Sequence, residues 1–225
     1  FVDASLTHGV ENGKARWPNE FDKLTEMGME NLDGMATEIA ELGLDTEWER
    51  TGMLSVATEP HQVQWLREAA DDGHGRFLDT AEVRAEVNSP TYRAGLFDAE
   101  SCAIVNPAKL ALELARACRE AGVQIFEHTN AHRLDSGHTG LRVHTGHTVI
   151  TARQAVLATN VFRSLLRRNR LYTVPVYDYV LATEPLTDAQ LDRIGWANRQ
   201  GVGDCGNQFH YYRLTRDNRI VWGGY

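Results

Sequence analysis

The most regular hydrophobic spacing in the chain follows Asn106. Apolar residues recur every three or four positions over residues 110–121, which predicts one apolar helix face that lies on a sheet. Asn106 can cap this helix with its side-chain oxygen, Pro107 suits the first helical position, and Gly122 can end the helix in a left-handed conformation. The β-forming residues of 123–127 then predict a short buried strand. A helix followed by a strand is half of a βαβ-like unit of the kind that carries dinucleotides.

Similar spacing predicts helices and strands along the rest of the chain. Helices are predicted from Pro18 to Gly43, after Pro60, from Asp79 and from Thr187. Strands are predicted over 51–58, 155–160 and 172–186, with hairpins over 134–150 and 209–222. Loops or irregular connections are predicted over 1–16 and 88–99. This mixture of elements predicts an α/β fold of the mixed α+β kind.

Residues 201–206 match the pattern G-x-G-x-x-G letter for letter. That fingerprint binds a pyrophosphate only when a strand precedes it and a helix follows it. Here a turn-rich segment precedes the glycines, and residues 207–212 have β character. We therefore interpret the segment as a flexible loop and not as a dinucleotide fingerprint.

Composition and charge exclude several classes of partner. With 225 residues and 42% hydrophobic content, the chain can bury a core. Its net charge of −8 argues against nucleic acid or an anionic membrane surface, because both need clustered Lys and Arg. The basic run over 163–170 is interleaved with leucines, which indicates a solvated helix face. No apolar stretch approaches membrane-spanning length, so we expect no membrane-spanning segment.

Cysteines and histidines give no metal pattern. Cys102, Cys118 and Cys205 lie far apart without a C-x-x-C pair, so neither a zinc site nor a disulfide framework is predicted, and a reducing cytoplasm is expected. His144 and His147 are three residues apart on a predicted strand and would face opposite sides. We predict that these histidines face solvent and bind no metal.

Three segments together resemble a known family. They are Val105-Asn106-Pro107-x-x-Leu110, Ala121-Gly122-Val123-x-Ile125, and the run from Thr151 to Ala158-Thr159-Asn160. They resemble the FAD-dependent amino-acid and amine oxidase family that contains glycine oxidase, D-amino-acid oxidase and sarcosine oxidase, and most of all its branch with gamma-glutamylputrescine oxidase. Asn160 stands where that family has the glycine of Ala-Thr-Gly. Asn is the other residue that readily takes a left-handed conformation, so the turn can be kept.

The resemblance implies FAD as cofactor and an incomplete Rossmann-like FAD-binding domain interleaved with an antiparallel-sheet substrate domain. The FAD-binding part is predicted over 1–44 and 99–169, and the substrate-binding part over 45–98 and 170–225. The family's phosphate-binding glycines would precede Phe1, so the chain is expected to be an internal fragment that binds FAD weakly or not at all by itself.

The resemblance also implies site residues. Tyr211 and Tyr225 would reach the substrate, although a structural role for each is the alternative. The family often has Pro-x-Arg-Gly where this chain has Pro175-Val176-Tyr177-Asp178. This difference argues against a carboxylate-binding Arg at that position. Ser5 would contact the FAD, and the alternative is that it is a loop residue with local hydrogen bonds. The expected FAD contacts are Phe1, Val2, Ser5, Ala131, Ala158, Thr159 and Asn160.

The expected reaction is oxidation of a small-molecule amine or amino acid to the imine, with hydride transfer to flavin and oxygen as acceptor. Such chemistry needs little acid or base assistance, because the flavin takes the hydride and the protein orients the substrate. Two alternatives stay open. One is a flavin-dependent hydroxy-acid dehydrogenase of the same fold, and the other is a non-catalytic flavin-fold subunit or fragment.

Overall fold

The computed structural model describes residues 1–4, 9–137 and 140–224 of the chain. The chain divides into two compact units. The first combines Phe1–Ala117 with Asp178–Tyr225, and the second is Cys118–Tyr177.

Helices and strands follow one another in this order along the described residues. The N-terminal part contains β1 (Val2–Asp3), α1 (Gly9–Arg16), α2 (Phe21–Glu41), β2 (Met53–Ala57), α3 (Gln62–Asp71), β3 (Arg76–Leu78), α4 (Thr80–Glu86), β4 (Ala94–Asp98), β5 (Cys102–Ala103) and α5 (Pro107–Glu120). The middle contains β6 (Ala131–Gly137), β7 (Gly140–Thr145), β8 (Val149–Ala152) and a 3-10 turn (Arg167–Leu171). The C-terminal part contains β9 (Tyr179–Ala182), α6 (Asp188–Ile194), β10 (Gly201–Asp204), β11 (His210–Leu214) and β12 (Ile220–Gly224).

A seven-stranded sheet organises the first unit. Its strand order is β3-β4-β2-β10-β11-β12-β9. Strands β2 and β10 pair in parallel, and the other neighbours pair antiparallel. The predicted mixed α/β fold is therefore confirmed, and the sheet that was expected to be antiparallel contains one parallel pair at its centre.

One face of this sheet carries the main hydrophobic core. Leu54 and Val56 of β2, Val202 of β10 and Tyr212 of β11 are buried there, and Val83 of α4 packs against them. Side chains of α6 cover the same core. Because alternate residues of a strand share a face, the odd-numbered residues of β2 and β11 point to the other side.

The central predicted helix is confirmed as α5. The backbone N–H of Lys109 donates to the Asn106 side chain at 3.2 Å, which is the expected cap, and Gly122 takes a φ of +85° after the last turn. Gly43 likewise follows α2 with a φ of +58°. The apolar stripe of α5 differs from its prediction, because none of the helix residues is buried.

Two predicted strands are wrong. Residues 123–127 and 155–160 form no strand, although both segments are described. Val123 and Phe126 are 51% and 66% exposed. An apolar run becomes a strand only where another strand pairs with its backbone, and no described strand does so here. Asn160 nevertheless takes a φ of +49°, which confirms the left-handed turn expected at this position.

The glycine-rich segment is not a flexible loop. Residues 201–204 form β10, between β2 and β11 in the sheet. A side chain at Gly201 would lie 3.0 Å from the Phe1 ring, and one at Gly203 would lie 2.8 Å from Met53 Cε. The glycines are therefore explained by the close approach of neighbouring side chains and not by a need for flexibility.

Other predicted segments have different limits. Residues 9–16 form helix α1 where a loop was predicted, and 94–98 form β4 within a stretch predicted to be irregular. The strand predicted over 172–186 is restricted to Tyr179–Ala182. Within the basic run, only the 3-10 turn Arg167–Leu171 is helical.

The second unit contains a three-stranded antiparallel sheet in the order β6-β7-β8. This sheet confirms the predicted hairpin over 134–150. Thr145 is buried there and its hydroxyl donates to the Thr148 carbonyl at 3.0 Å.

Candidate active site

The face of the seven-stranded sheet opposite the main core carries unusually small residues. Tyr211 pairs with Gly203 on one side and with Gly223 on the other. Gly201 pairs with Met53 across the parallel contact. Directly paired residues point to the same face of a sheet. We call the surface formed by Phe1, Met53, Gly201, Gly203, Tyr211 and Gly223 the glycine face.

Glycines allow the large side chains of this face to approach the sheet backbone closely. A side chain at Gly223 would lie 2.4 Å from Tyr211 Cζ, a separation that real Cβ atoms do not tolerate. Met53 extends over Gly203 and the Phe1 ring extends over Gly201 in the same way. The result is a largely apolar surface on which the Phe1 ring stands at 70° to the Tyr211 ring.

Tyr211 is held at the centre of the glycine face. Its hydroxyl donates a hydrogen bond to Asp178, whose other carboxylate oxygen accepts the backbone N–H of Gly224 at 3.1 Å. The Phe1 ring meets the Tyr211 ring edge-on at 5.9 Å, and the Phe209 ring lies 6.1 Å away. Tyr211 therefore has a fixed orientation with its hydroxyl beside a carboxylate.

Arg213 lies two residues beyond Tyr211 and points to the same side of the sheet. Burial lowers the pKa of its guanidinium, and the charges of Glu47 and Glu49 oppose that change. Lys109 Nζ contacts Glu47 at 2.9 Å, and this hydrogen bond lowers the pKa of the Glu47 carboxyl. The positive charge of Arg213 is therefore balanced by the carboxylates of Glu47 and Glu49, which lie between α2 and β2.

The opposite face contains a second polar pair. His210 Nδ1 lies 2.8 Å from Asp204 Oδ2, and the Tyr212 ring stacks on Trp222 at 4.1 Å. The hydroxyls of Tyr212 and Tyr92 are hydrogen-bonded, and burial raises the pKa of Tyr92 to about 12. His210 and Tyr212 thus point away from Tyr211, as the period of two predicts.

A cavity of 490 Å³ lies within the second unit beside Ala131. Two arginines and several polar groups line it, so it can accept a polar, anionic ligand. Ala158 and Asn160 are exposed, and the Thr159 carbonyl accepts the N–H of Phe162 at 3.0 Å in the turn that follows. The residues that line the cavity are Asn130, Ala131, His132, Arg163, Ser164, Leu165 and Arg170.

The predicted site residues fall into three groups. Phe1 and Tyr211 meet on the glycine face. Val2 lies in β1 and packs against the small cluster that contains Leu32. The expected contacts at 131 and 158–160 belong to the second unit. The remaining two predicted site residues, Ser5 and Tyr225, lie outside the described residues.

Sequence reasoning missed Met53, Asp178 and the role of the glycines. Asp178 approaches Tyr211 across 33 residues of chain, a pairing that no local pattern reveals. The glycines of β10 did carry a usable signal. Glycine within a β-rich stretch often marks a site where other groups approach the backbone closely.

The histidines of the second unit were predicted to face solvent, and this is wrong for His144. Its side chain is only 16% exposed, and its Nε2 lies 2.8 Å from Asp135. Arg133 lies on the same carboxylate at 3.0 Å, so a cross-strand polar cluster covers the ring. His147 lies after the end of β7. Within the described residues, no group of three His, Cys, Asp or Glu side chains could hold a metal ion.

A larger cavity, of 730 Å³, opens between α3 and α4. Its two arginines support the local backbone. Arg84 donates to the carbonyls of Tyr92 and Pro90, and Arg93 donates to that of Thr58.

None of the helices in the described ranges is long and apolar enough to cross a membrane.

Comparison with known proteins identifies the class to which the chain belongs. Residues 4–225 match the family of FAD dependent oxidoreductases. The chain belongs to this family, whose cofactor is FAD. The family resemblance predicted from the three sequence segments is therefore confirmed.

The curated relatives include two bacterial oxidoreductases. The chain is 28% identical over 215 residues to the probable oxidoreductase OrdL of Haemophilus influenzae, covering 89% of this chain and 49% of that protein. It is 29% identical over 213 residues to gamma-glutamylputrescine oxidoreductase of Escherichia coli, covering 89% and 48%. The chain thus spans about half the length of the curated relatives it matches.

Solved structures share the fold. Glycine oxidase from Geobacillus kaustophilus superposes with a TM-score of 0.71 at 17% identity, over 90% of this chain and 55% of that one. L-amino acid deaminase from Proteus vulgaris gives a TM-score of 0.63 at 18% identity, over 92% and 49%. At such identities the likeness shows the fold alone.

Proposed function

We propose that this chain is part of an enzyme that oxidises a primary or secondary amine, or an amino acid, to the corresponding imine with FAD. The observation that carries the proposal is the position of Tyr211. Its ring lies on the glycine face beside Phe1, in a chain of the FAD dependent oxidoreductase family. A largely apolar face with one oriented hydroxyl suits a substrate that must be positioned and not chemically activated.

The reaction removes one hydride and one proton from the substrate. FAD, when bound, accepts the hydride from the carbon next to nitrogen. The proton leaves nitrogen for solvent, and the carbon–nitrogen double bond forms. With oxygen as the acceptor, the overall reaction would convert the amine and O2 to the imine and hydrogen peroxide, so that the hydride and the proton lost by the substrate balance the two hydrogens gained by oxygen. The protein's own share is to orient the amine and to exclude water, which explains the absence of a conspicuous acid–base motif in the sequence.

The cavity beside Ala131 supports binding of the adenosine diphosphate part of FAD. Its 490 Å³ falls within the range of about 300–1,000 Å³ usual for ligand sites. Arg163 and Arg170 can neutralise phosphate charge. Residues 158–160 and Ala131 would contribute backbone contacts, which side-chain identity does not restrict. Phe1 and Val2 would lie near the flavin.

On the substrate side, the proposal assigns Tyr211 to contact with the amine. Tyr225 and Ser5 keep their expected roles as part of the same proposal. The domain boundaries at 44/45, 98/99 and 169/170 and a cytoplasmic location also stay predictions.

The test uses protein expressed from the complete coding sequence around this chain, purified with its flavin. Primary amines, secondary amines, amino acids and hydroxy acids are added without oxygen, and loss of flavin absorbance is followed. We expect amines or amino acids to bleach the flavin, and oxygen then to yield peroxide. Bleaching by hydroxy acids alone would establish the dehydrogenase alternative, and bleaching by none of the four classes would favour a non-catalytic flavin protein.

The Tyr211→Phe variant tests the substrate contact. Loss of an orienting hydroxyl should lower kcat/KM by about 10- to 100-fold without loss of flavin. The matched control is Tyr172→Phe, which removes the same hydroxyl from an exposed tyrosine of the second unit. Equal activities of the two variants would contradict a substrate contact for Tyr211.

A further inference from the structure

The 730 Å³ cavity between α3 and α4 lies where β2 ends and β4 begins, and it shares no residue with the glycine face. Of the nine described residues that line it, two are arginines and none is acidic. The chain as a whole has a net charge of −8. The wall of this cavity is therefore a local reversal of the protein's charge, and it favours an anionic ligand.

Arg93 is fixed at the cavity by hydrogen bonds to two successive carbonyls. Its backbone N–H donates to Ala57 at 2.9 Å, and its Nε donates to Thr58 at 2.9 Å. Its terminal nitrogens, Nη1 and Nη2, have no partner among the described residues. These nitrogens form the flat edge of the guanidinium, which can donate to two oxygens of one anion.

Arg84 lines the same cavity from α4. Its Nε donates to the Tyr92 carbonyl at 3.1 Å and its Nη2 to the Pro90 carbonyl at 2.7 Å, which leaves Nη1 without a partner in the described part of the chain. Glu82 of the same helix is paired with Arg76 instead, at 3.7 Å. The described residues thus place no carboxylate within ion-pair distance of either guanidinium in this cavity.

The rest of the wall can hold an organic group. Thr91 Oγ1 lies 2.9 Å from Ser89 Oγ, and because either hydroxyl can donate, Thr91 can turn its proton toward a ligand. Pro60, Val63 and Pro90 supply apolar surface. The volume falls within the range of about 300–1,000 Å³ usual for small-molecule sites. It is more room than a bare phosphate ion needs.

We propose that this cavity binds a small organic phosphate, with the phosphate group between Arg84 and Arg93. A phosphate monoester carries about 1.5 to 2 negative charges at neutral pH and three strong acceptor oxygens, which matches two arginines without acidic neighbours. A carboxylate carries one charge and would balance only one of them. The organic part lies on the apolar residues of the wall. The site is independent of amine oxidation.

The experiment measures binding by isothermal titration calorimetry, with protein expressed from the complete coding sequence and purified with its flavin. The probes are phenyl phosphate, inorganic phosphate and benzoate. Inorganic phosphate lacks the organic part, and benzoate replaces the phosphate with a carboxylate. We expect a Kd of about 0.1–1 mM for phenyl phosphate, and binding at least about threefold weaker for the other two.

Two substitutions of Arg93 test the assignment. Arg93→Gln should raise the Kd for phenyl phosphate by about tenfold or more, because it removes a charge that the ligand contacts directly. Arg93→Lys keeps the charge without the flat pair of donors and should raise the Kd by at least about threefold. Thermal unfolding verifies that each variant is folded, and Arg93→Lys decides the matter if Arg93→Gln does not fold.

The matched control is Arg67→Gln. Arg67 is an exposed arginine of α3 that lies over the Phe77 ring at 4.2 Å and does not line the cavity. Its loss changes the net charge by the same amount as Arg93→Gln. The Kd for phenyl phosphate should therefore stay within about twofold of the wild-type value.

Three outcomes would overturn the site. They are no saturable binding of phenyl phosphate up to about 10 mM, an unchanged Kd in Arg93→Gln, and equal losses in Arg93→Gln and Arg67→Gln, which would indicate a general effect of net charge. Equally tight binding of benzoate would contradict the phosphate group, and equally tight binding of inorganic phosphate would contradict the organic part. Since Arg93 does not line the cavity beside Ala131, the Arg93 variants also distinguish the two cavities.

Discussion

The two faces of the seven-stranded sheet are built from the same strands and differ in almost every physical respect. On the covered face, Leu54 and Val202 are fully buried and helices pack over them. On the glycine face, residues one position along the same strands are glycines, and Met53 and Tyr211 extend across Gly203 and Gly223.

This difference separates stability from binding. Burial of large apolar side chains on the covered face supplies folding free energy. The glycine face gives up that contribution, since a glycine buries no side chain, and it instead lets the Phe1, Met53 and Tyr211 side chains approach the backbone closely. A residue important for function and a residue important for stability can therefore be neighbours in sequence.

The largest expected effect is on the covered face. Leu54→Ala should lower the free energy of unfolding by about 3 kcal/mol, because a fully buried leucine leaves a cavity when truncated. Met53→Ala, the next residue along the strand but on the glycine face, should cost less than about half of that. Urea denaturation measures both. Equal losses would show that the two faces contribute alike.

The buried tyrosine pair should make stability fall at high pH. Burial raises the pKa of Tyr92 to about 12, above its value of 10.0 in an unfolded chain. The unfolded state therefore loses its proton first, and the stabilisation present below pH 10 is lost as the pH rises through 12. The loss should reach about 2–3 kcal/mol. The double variant Tyr92→Phe/Tyr212→Phe should show a flatter profile in denaturation at each pH, and an unchanged profile would contradict the assignment.

A smaller effect is expected from filling the glycine face. Gly223→Ala should cost about 1–2 kcal/mol, because the new methyl group would displace the Tyr211 ring from 2.4 Å. Gly34→Ala is the matched control, since its Cβ meets nothing within 4 Å and lies in helix α2. That control should gain about 0.5–1 kcal/mol. Thermal unfolding distinguishes the opposite signs, and a neutral Gly223→Ala would show that Tyr211 does not need the close approach.

Local signals in the sequence predicted much of the fold. Asn106 and Gly122 mark the two ends of α5, and both bond or turn as expected. The period of two along a β-strand likewise requires Tyr211 and Tyr212 to face opposite sides, as they do. Such features depend on residues a few positions apart, where backbone geometry leaves few choices.

Pairing between strands that lie far apart in the sequence could not be predicted from the local sequence pattern. The segment 123–127 has strand-forming residues and is no strand, whereas 201–204 has two glycines and is a central strand. Which segment finds a partner depends on hydrogen bonds offered by distant strands. For the same reason the candidate site was predicted only in part, because Asp178 reaches Tyr211 through the sheet.

The sequence by itself determined the family, the mixed α/β class and the ends of the main helices, because these follow from short motifs and from the spacing of apolar residues. Only the tertiary structure decided that the G-x-G segment is a strand, that three large side chains lie against three glycines on one face of the sheet, and that Asp178 stands beside Tyr211. These depend on which backbones approach one another, and close approach is a property of the folded chain.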